Sequence, residues 1–144
     1  MDIIIQSFYS FLCVMGFSVM FNIPRKQIFI ASLNGTIGWS IYLLLQSGSA
    51  SFIVPPLAGS IVVGVIGEIA AIKNKQPATI FIIPGIIPFV PGYGIYNTMY
   101  HIINNDFSQA IVSGSESMFI AVSIACGIIV ATSIVKLIKE SFPA

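Results

Sequence analysis

The sequence predicts an all-α integral membrane protein of about five transmembrane helices, the fourth broken by proline and glycine into two half-helices. Three observations predict it. Of the 144 residues, 56% are hydrophobic and 8% charged, at a mean hydropathy of +0.97. A soluble domain carries roughly 25% charged residues, so this chain has too few to cover a soluble surface. The apolar residues fall in runs close to the ~20 that a helix needs to cross a bilayer core. One of these runs contains PGIIPFVPGYG, with three prolines and three glycines from Pro84 to Gly94.

The spans follow in order. Span 3–22 ends at the turn signal Asn22-Ile23-Pro24, just before Arg25 and Lys26. It has no basic leader and no small-residue cleavage site, so it reads as a retained span and not a signal peptide. Span 27–46 ends at Ser47-Gly48-Ser49. Span 51–72 tolerates Pro55 and Pro56 in its first turn and ends at Lys73-Asn74-Lys75-Gln76. Span 77–103 holds the proline-rich stretch and ends at Asn104-Asn105-Asp106. Span 116–138 runs from Glu116 and is followed by Lys139, Glu140 and Pro143. The whole chain, 1–144, forms one membrane domain.

With five spans all six cations (Arg25, Lys26, Lys73, Lys75, Lys136 and Lys139) fall on one side. Asp2, Asp106 and Glu116 fall on or near the other. The positive-inside rule then places the N-terminus outside and the C-terminus in the cytoplasm, in a cell (plasma or inner) membrane. A re-entrant fourth segment would move Lys136 and Lys139 outside, so a full crossing is expected.

The proline stretch decides where a site is sought. Pro84, Pro88 and Pro91 cannot donate hydrogen bonds to the carbonyls of Ile80, Pro84 and Ile87. Ile83, Ile87 and Val90 precede prolines and are biased toward extended backbone. Gly85, Gly92 and Gly94 permit angles that other residues avoid. The expectation is two half-helices, 77–83 and 93–103, joined by an irregular segment. Unpaired backbone groups in hydrocarbon cost several kcal/mol each, so such a segment is buried in protein or lines a wet cavity. Discontinuous spans are how many secondary transporters build their sites. The N-terminus of the second half-helix, at Gly92 to Gly94, suits a carboxylate. The freed carbonyls suit an ammonium group or a cation. The bland alternative is a kink that only shapes packing.

Glu68 is the acidic residue placed most clearly within the membrane. A charged carboxylate at a helix centre costs about 2.5 to 3.5 kcal/mol on insertion scales. It stands on a stripe of small residues, Ser60, Gly64, Gly67 and Ala71, along which another helix can approach closely. It reads either as a proton or substrate site or as a partner of Lys73 or Lys75. Asn34, in SLNGTIGWSIY, is either glue between helices or a solute contact. Ser123, Gly127 and Ala131 form a small-residue repeat that reads as helix packing. Asn97 and His101 share a helical face near the outer end, and Asn97 joins the candidate binding residues. Cys13 and Cys126 lie in apolar runs and read as unpaired. There is no Cys/His cluster and no GxxxxGK[ST] phosphate loop, so no metal, cofactor or ATP-driven mechanism is expected. A net charge of +1 gives no case for nucleic acid.

The stretch PATIFIIPGIIPFVPGYGIYNTM, with FNIPRK, GTIGW and Gly67-Glu68, resembles the C-terminal membrane half of the threonine/serine exporter family. The likeness runs over nearly the whole chain, and PGIIPFVPG is its most specific part. The chain is also similar to the smaller subunit of two-component exporters linked to succinate. The resemblance implies a small stand-alone subunit, no enzyme, and a second five-span membrane subunit of opposite orientation. It implies gradient-driven export of small carboxylate metabolites, either hydroxy-amino acids or dicarboxylates. The competing expectation is a non-transporting scaffold that stabilises a partner transporter. Homo-oligomerisation stays open.

Overall fold

The computed structural model describes residues 3–48 and 51–141. Asp2, Ser49 and Pro143 lie outside the described residues, as does the Glu140 side chain. Six α-helices follow in order: α1 Ile3–Met20, α2 Arg25–Gly48, α3 Val54–Asn74, α4 Thr79–Ile86, α5 Gly92–Ile103 and α6 Phe107–Ser141. A 3₁₀ turn, Ile87–Phe89, follows α4. Four helices are each long and apolar enough to cross a membrane, or five where the pair Thr79–Phe89 and Gly92–Ile103, bent by 49°, counts as one span. This is a multi-pass helical membrane protein.

Three helix ends close in the same way. Asn22, Lys75 and Asn105 take left-handed backbone, with φ of 55°, 52° and 58°. The N–H that follows each reaches back to a carbonyl of the last turn. Ile23 donates to Ser18, Gln76 to Ala71 and Asp106 to His101, at 3.0, 3.0 and 2.9 Å. Such caps satisfy carbonyls that a helix end leaves free. Asparagine tolerates this conformation, and two of the three turn signals are asparagines.

Small residues set the packing. Helices α3 and α6 run parallel in one register. Phe52 meets Phe119 with ring centroids 6.4 Å apart, Ser60 meets Gly127, and Gly64 meets Ala131; each pair is 67 positions apart. A Cβ on Gly127 would strike the Ser60 hydroxyl and lie 2.8 Å from the Leu57 carbonyl oxygen. The small-residue stripes of the two spans therefore meet each other. The α2–α3 pair is antiparallel, with Asn34 at Val63 and Gly38 at Gly59. The α4 helix lies along α2, with Gly85 against Gly35. Phe89 closes the top of this group. It packs into the space left by Gly38 and Gly59 and against the stacked rings of Trp39 and Tyr42.

The last helix departs from expectation. It begins at Phe107, not Glu116, and continues unbroken for 35 residues. Asp106 starts it, its carboxylate accepting from the Gln109 N–H at 3.3 Å. At 1.5 Å per residue the helix is about 52 Å long, against roughly 30 Å of hydrocarbon. In the α3 register, residues 107–120 run roughly 20 Å past the start of α3. There they pair with α5, Ser117 at Gly94 and Thr98 at Gly114. The local polar residues Ser108, Gln109, Ser113, Ser115 and Glu116 hid this start, because they lower the hydropathy by which a span is read. Glu116 is exposed on this extension.

Candidate functional site

The break lies later and is shorter than the proline spacing predicts. Pro84 sits inside α4, and the helix continues through Ile86. Ile83 is helical and Ile87 has φ −53°, ψ −42°, helical angles, although each precedes a proline. Only Val90 is extended, at φ −58°, ψ 127°. The carbonyls expected to be free are largely recaptured. The Ile87 N–H donates to Pro84 and the Val90 N–H to Ile87 at 3.1 Å. A shift to i+3 bonding restores a bond at two of the three carbonyls, Pro84 and Ile87. No described glycine takes a positive φ. The glycines here allow close approach, not unusual angles.

At the start of α5 the donors remain free. Gly92 N–H turns back to Val90 at 2.7 Å and Ile95 N–H bonds Pro91 at 3.0 Å. Among the described residues, the Tyr93 and Gly94 N–H groups have no acceptor. Gly92 and Tyr93 are exposed, and a Cβ on Gly92 would meet nothing within 4 Å. Gly94 abuts the Ser117 side chain. Beside this end lies an almost wholly apolar cavity of about 400 Å³, lined in part by Val90, Pro91, Ile95 and Met118. Asn97 is half-buried one turn further along.

A second group centres on Asn34, which is 1% exposed. Its Nδ2 donates to the Val63 carbonyl at 3.0 Å and the Phe81 carbonyl at 3.2 Å. One side chain thus ties α2 to α3 and α4. Its Oδ1 is buried without a partner. Gly67 and Gly85 stand against its Nδ2, and a Cβ on Gly35 would lie 3.0 Å from the Gly85 Cα. Pro88 points elsewhere, into a shallow cavity with Tyr9, Ser10, Cys13 and Trp39.

The third group lies on the α6 side of α3, toward the end of the bundle that carries the lysines. Glu68 is half-buried between α3 and α6. It lines a cleft of about 290 Å³ with Ile72, Thr132, Ser133, Val135, Lys136 and Lys139. It also lines an adjoining cleft of about 360 Å³ with Lys75, Gln76 and Lys139. Among the described residues one charged contact falls within 4.0 Å, His101 Nδ1 to Asp106 at 3.7 Å, so Glu68 is not ion-paired. The Ile23 turn after α1 borders Thr79 and Ile80, and Ala78 borders Lys75 and Lys139. The turns that carry the cations therefore share one end of the bundle. The sequence-predicted residues accordingly stand in separate places: Asn34 and Gly85 together, Pro84 beside Ile23 and Ile80, Gly92, Gly94 and Asn97 beyond the break, and Glu68 among lysines. Sequence reasoning missed Lys136, Lys139 and Thr132 as neighbours of Glu68. The two small-residue stripes were the available signal, since their pairing fixes which residues of α6 stand opposite α3.

A bent helix pair packed on glycine-lined helices defines a class: multi-pass α-helical membrane proteins with four to five apolar helices, one pair of them bent at a break. Within that class the chain belongs to the threonine/serine exporter family (ThrE), which it matches over residues 6–134. It is also similar to an uncharacterized protein of Haemophilus influenzae, 25% identical over 118 residues, 80% of this chain and 40% of that protein. The chain thus spans about two fifths of the length of this curated relative. No solved structure matches it.

Proposed function

We propose that the chain is the membrane subunit of a gradient-driven exporter of small carboxylate metabolites, threonine or serine or succinate-like dicarboxylates. A second five-span membrane subunit completes it. Family membership supports export, and the break at Val90-Pro91 is the observation that carries the mechanism. From Thr79 to Phe89 the chain rises about 15 Å, half of a ~30 Å hydrocarbon core. The free N–H groups of Tyr93 and Gly94 then sit near mid-membrane, where a helix N-terminus holds a carboxylate. The lysine-bearing end faces the cytoplasm. Glu68 takes the coupling proton or contacts the solute.

The scaffold reading has one observation in its favour: the cavity beside the break is apolar. Efflux of labelled threonine and succinate from vesicles holding both subunits separates the two. Gly92→Leu fills open space and leaves packing intact. Export predicts a several-fold loss of efflux, because the leucine side chain occupies the open space beside the Tyr93 and Gly94 N–H groups. A scaffold predicts full efflux in Gly92→Leu and in Glu68→Gln.

A further inference from the structure

Among the described side chains, the cleft at Glu68 holds an imbalance of charge. Lys75, Lys136 and Lys139 line its two adjoining parts against one described carboxylate. Lys136 and Lys139 are three apart on one helix, where like charges face each other and repel. Glu68, although among them, makes no ion pair within 4.0 Å. Among the described side chains both signs of charge are thus presented without an ion pair. The walls add a hydroxyl side at Thr132 and Ser133 and an apolar side at Ile72 and Val135. Thr132 Oγ1 donates to the Ile129 carbonyl at 3.1 Å, which leaves its oxygen able to accept. Volumes of about 290 and 360 Å³ stand at the small end of ligand pockets.

We propose that this cleft is a loading site for a zwitterionic metabolite, with Lys136 and Lys139 taking its carboxylate and Glu68 its ammonium. It rests on the export reading and sharpens it. A dicarboxylate satisfies the lysines but sets a second carboxylate near Glu68, and like charges brought together are penalised. Glu68 is therefore a specificity residue that favours an amino acid over a dicarboxylate. An anionic lipid headgroup offers the lysines the same oxyanion chemistry but gives Glu68 nothing.

The test reads binding on this chain directly. Ile72 borders both parts of the cleft and is half exposed, so Ile72→Cys, with Cys13 and Cys126 changed to Ser, reports maleimide access. The protein is held in nanodiscs of phosphatidylcholine, and in parallel of phosphatidylglycerol. Threonine is expected to slow labelling several-fold in phosphatidylcholine discs, and succinate to slow it little. Glu68→Gln is expected to narrow that difference, and Lys136→Gln with Lys139→Gln to remove protection by either solute. Protection by succinate equal to that by threonine overturns the proposal. So does a threonine effect that survives Glu68→Gln, or slowing that follows phosphatidylglycerol and no solute. Vesicle efflux stands apart from this readout. Efflux of either solute without protection at Ile72→Cys removes the site and leaves export standing; protection without efflux does the reverse.

Discussion

The α2–α3–α4 junction and the α5–α6 extension are built from the same residue types and behave as opposites. In the junction every glycine is consumed by a neighbour: Gly35 by Gly85 and Val14, Gly38 by Val63, Gly59 by Phe89, and Gly67 by Ile82. In the extension, α5 has no buried residue, Gly92 faces open space, and packing relies on α6 at Gly94 and Gly114. The comparison teaches that glycine in this chain marks helix contact only where a second helix arrives. Where none arrives, it leaves backbone donors uncovered. The boundary between the two regimes is the Val90-Pro91 break.

The largest effect is expected inside the junction. Gly35→Leu drives a side chain into the Gly85 backbone, which cannot rotate away. Overpacking of this kind costs about 1 to 3 kcal/mol or more. Loss of the monodisperse peak on size-exclusion chromatography in detergent would show it, and normal yield and melting would contradict the packing described. Asn34→Leu comes next. It removes both interhelical bonds but also removes the unpaired Oδ1. Bonds of this type average about 0.6 kcal/mol in membranes, so a fall of about 1 kcal/mol in unfolding free energy is expected. The extension should respond least. Gly94→Ala meets the Ser117 hydroxyl, which must turn away from its 2.7 Å bond to the Ser113 carbonyl, and a small fall in melting temperature is predicted. Gly92→Leu should not shift it at all. A collapse of stability in Gly92→Leu would place that residue in a packed interface and erase the contrast.

Much of this contrast was legible in the sequence, and the reasons for the rest are physical. Hydropathy runs and the turns at Asn22, Lys73-Asn74-Lys75 and Asn104-Asn105 located the helix ends, because caps and charges there are local. The presence of a break was legible from Pro84, Pro88 and Pro91. Its position was not, because i+3 donors at Ile87 and Val90 let the helix run past two prolines. The start of α6 was hidden by polar residues that face outward beyond the level of α3. The neighbours of Glu68 depended on the register between α3 and α6, a long-range quantity that small-residue stripes hint at without fixing. Asn34 was legible as a polar side chain seeking partners. Its two acceptors, the Val63 and Phe81 carbonyls, were not, because backbone groups carry no sequence signature.

The break has one direct test: hydrogen exchange at single-residue resolution on the protein in nanodiscs. Free donors beside a wet solute path exchange quickly, whereas donors held in a packed junction or sealed in lipid do not. Tyr93 and Gly94 amides are predicted to exchange near the rate of an open chain, and to slow when a carboxylate metabolite is added. The Gly85 amide should stay protected throughout. Protection of Tyr93 and Gly94 as strong as that of Gly85, without any added solute, would contradict a wet, solute-accessible break.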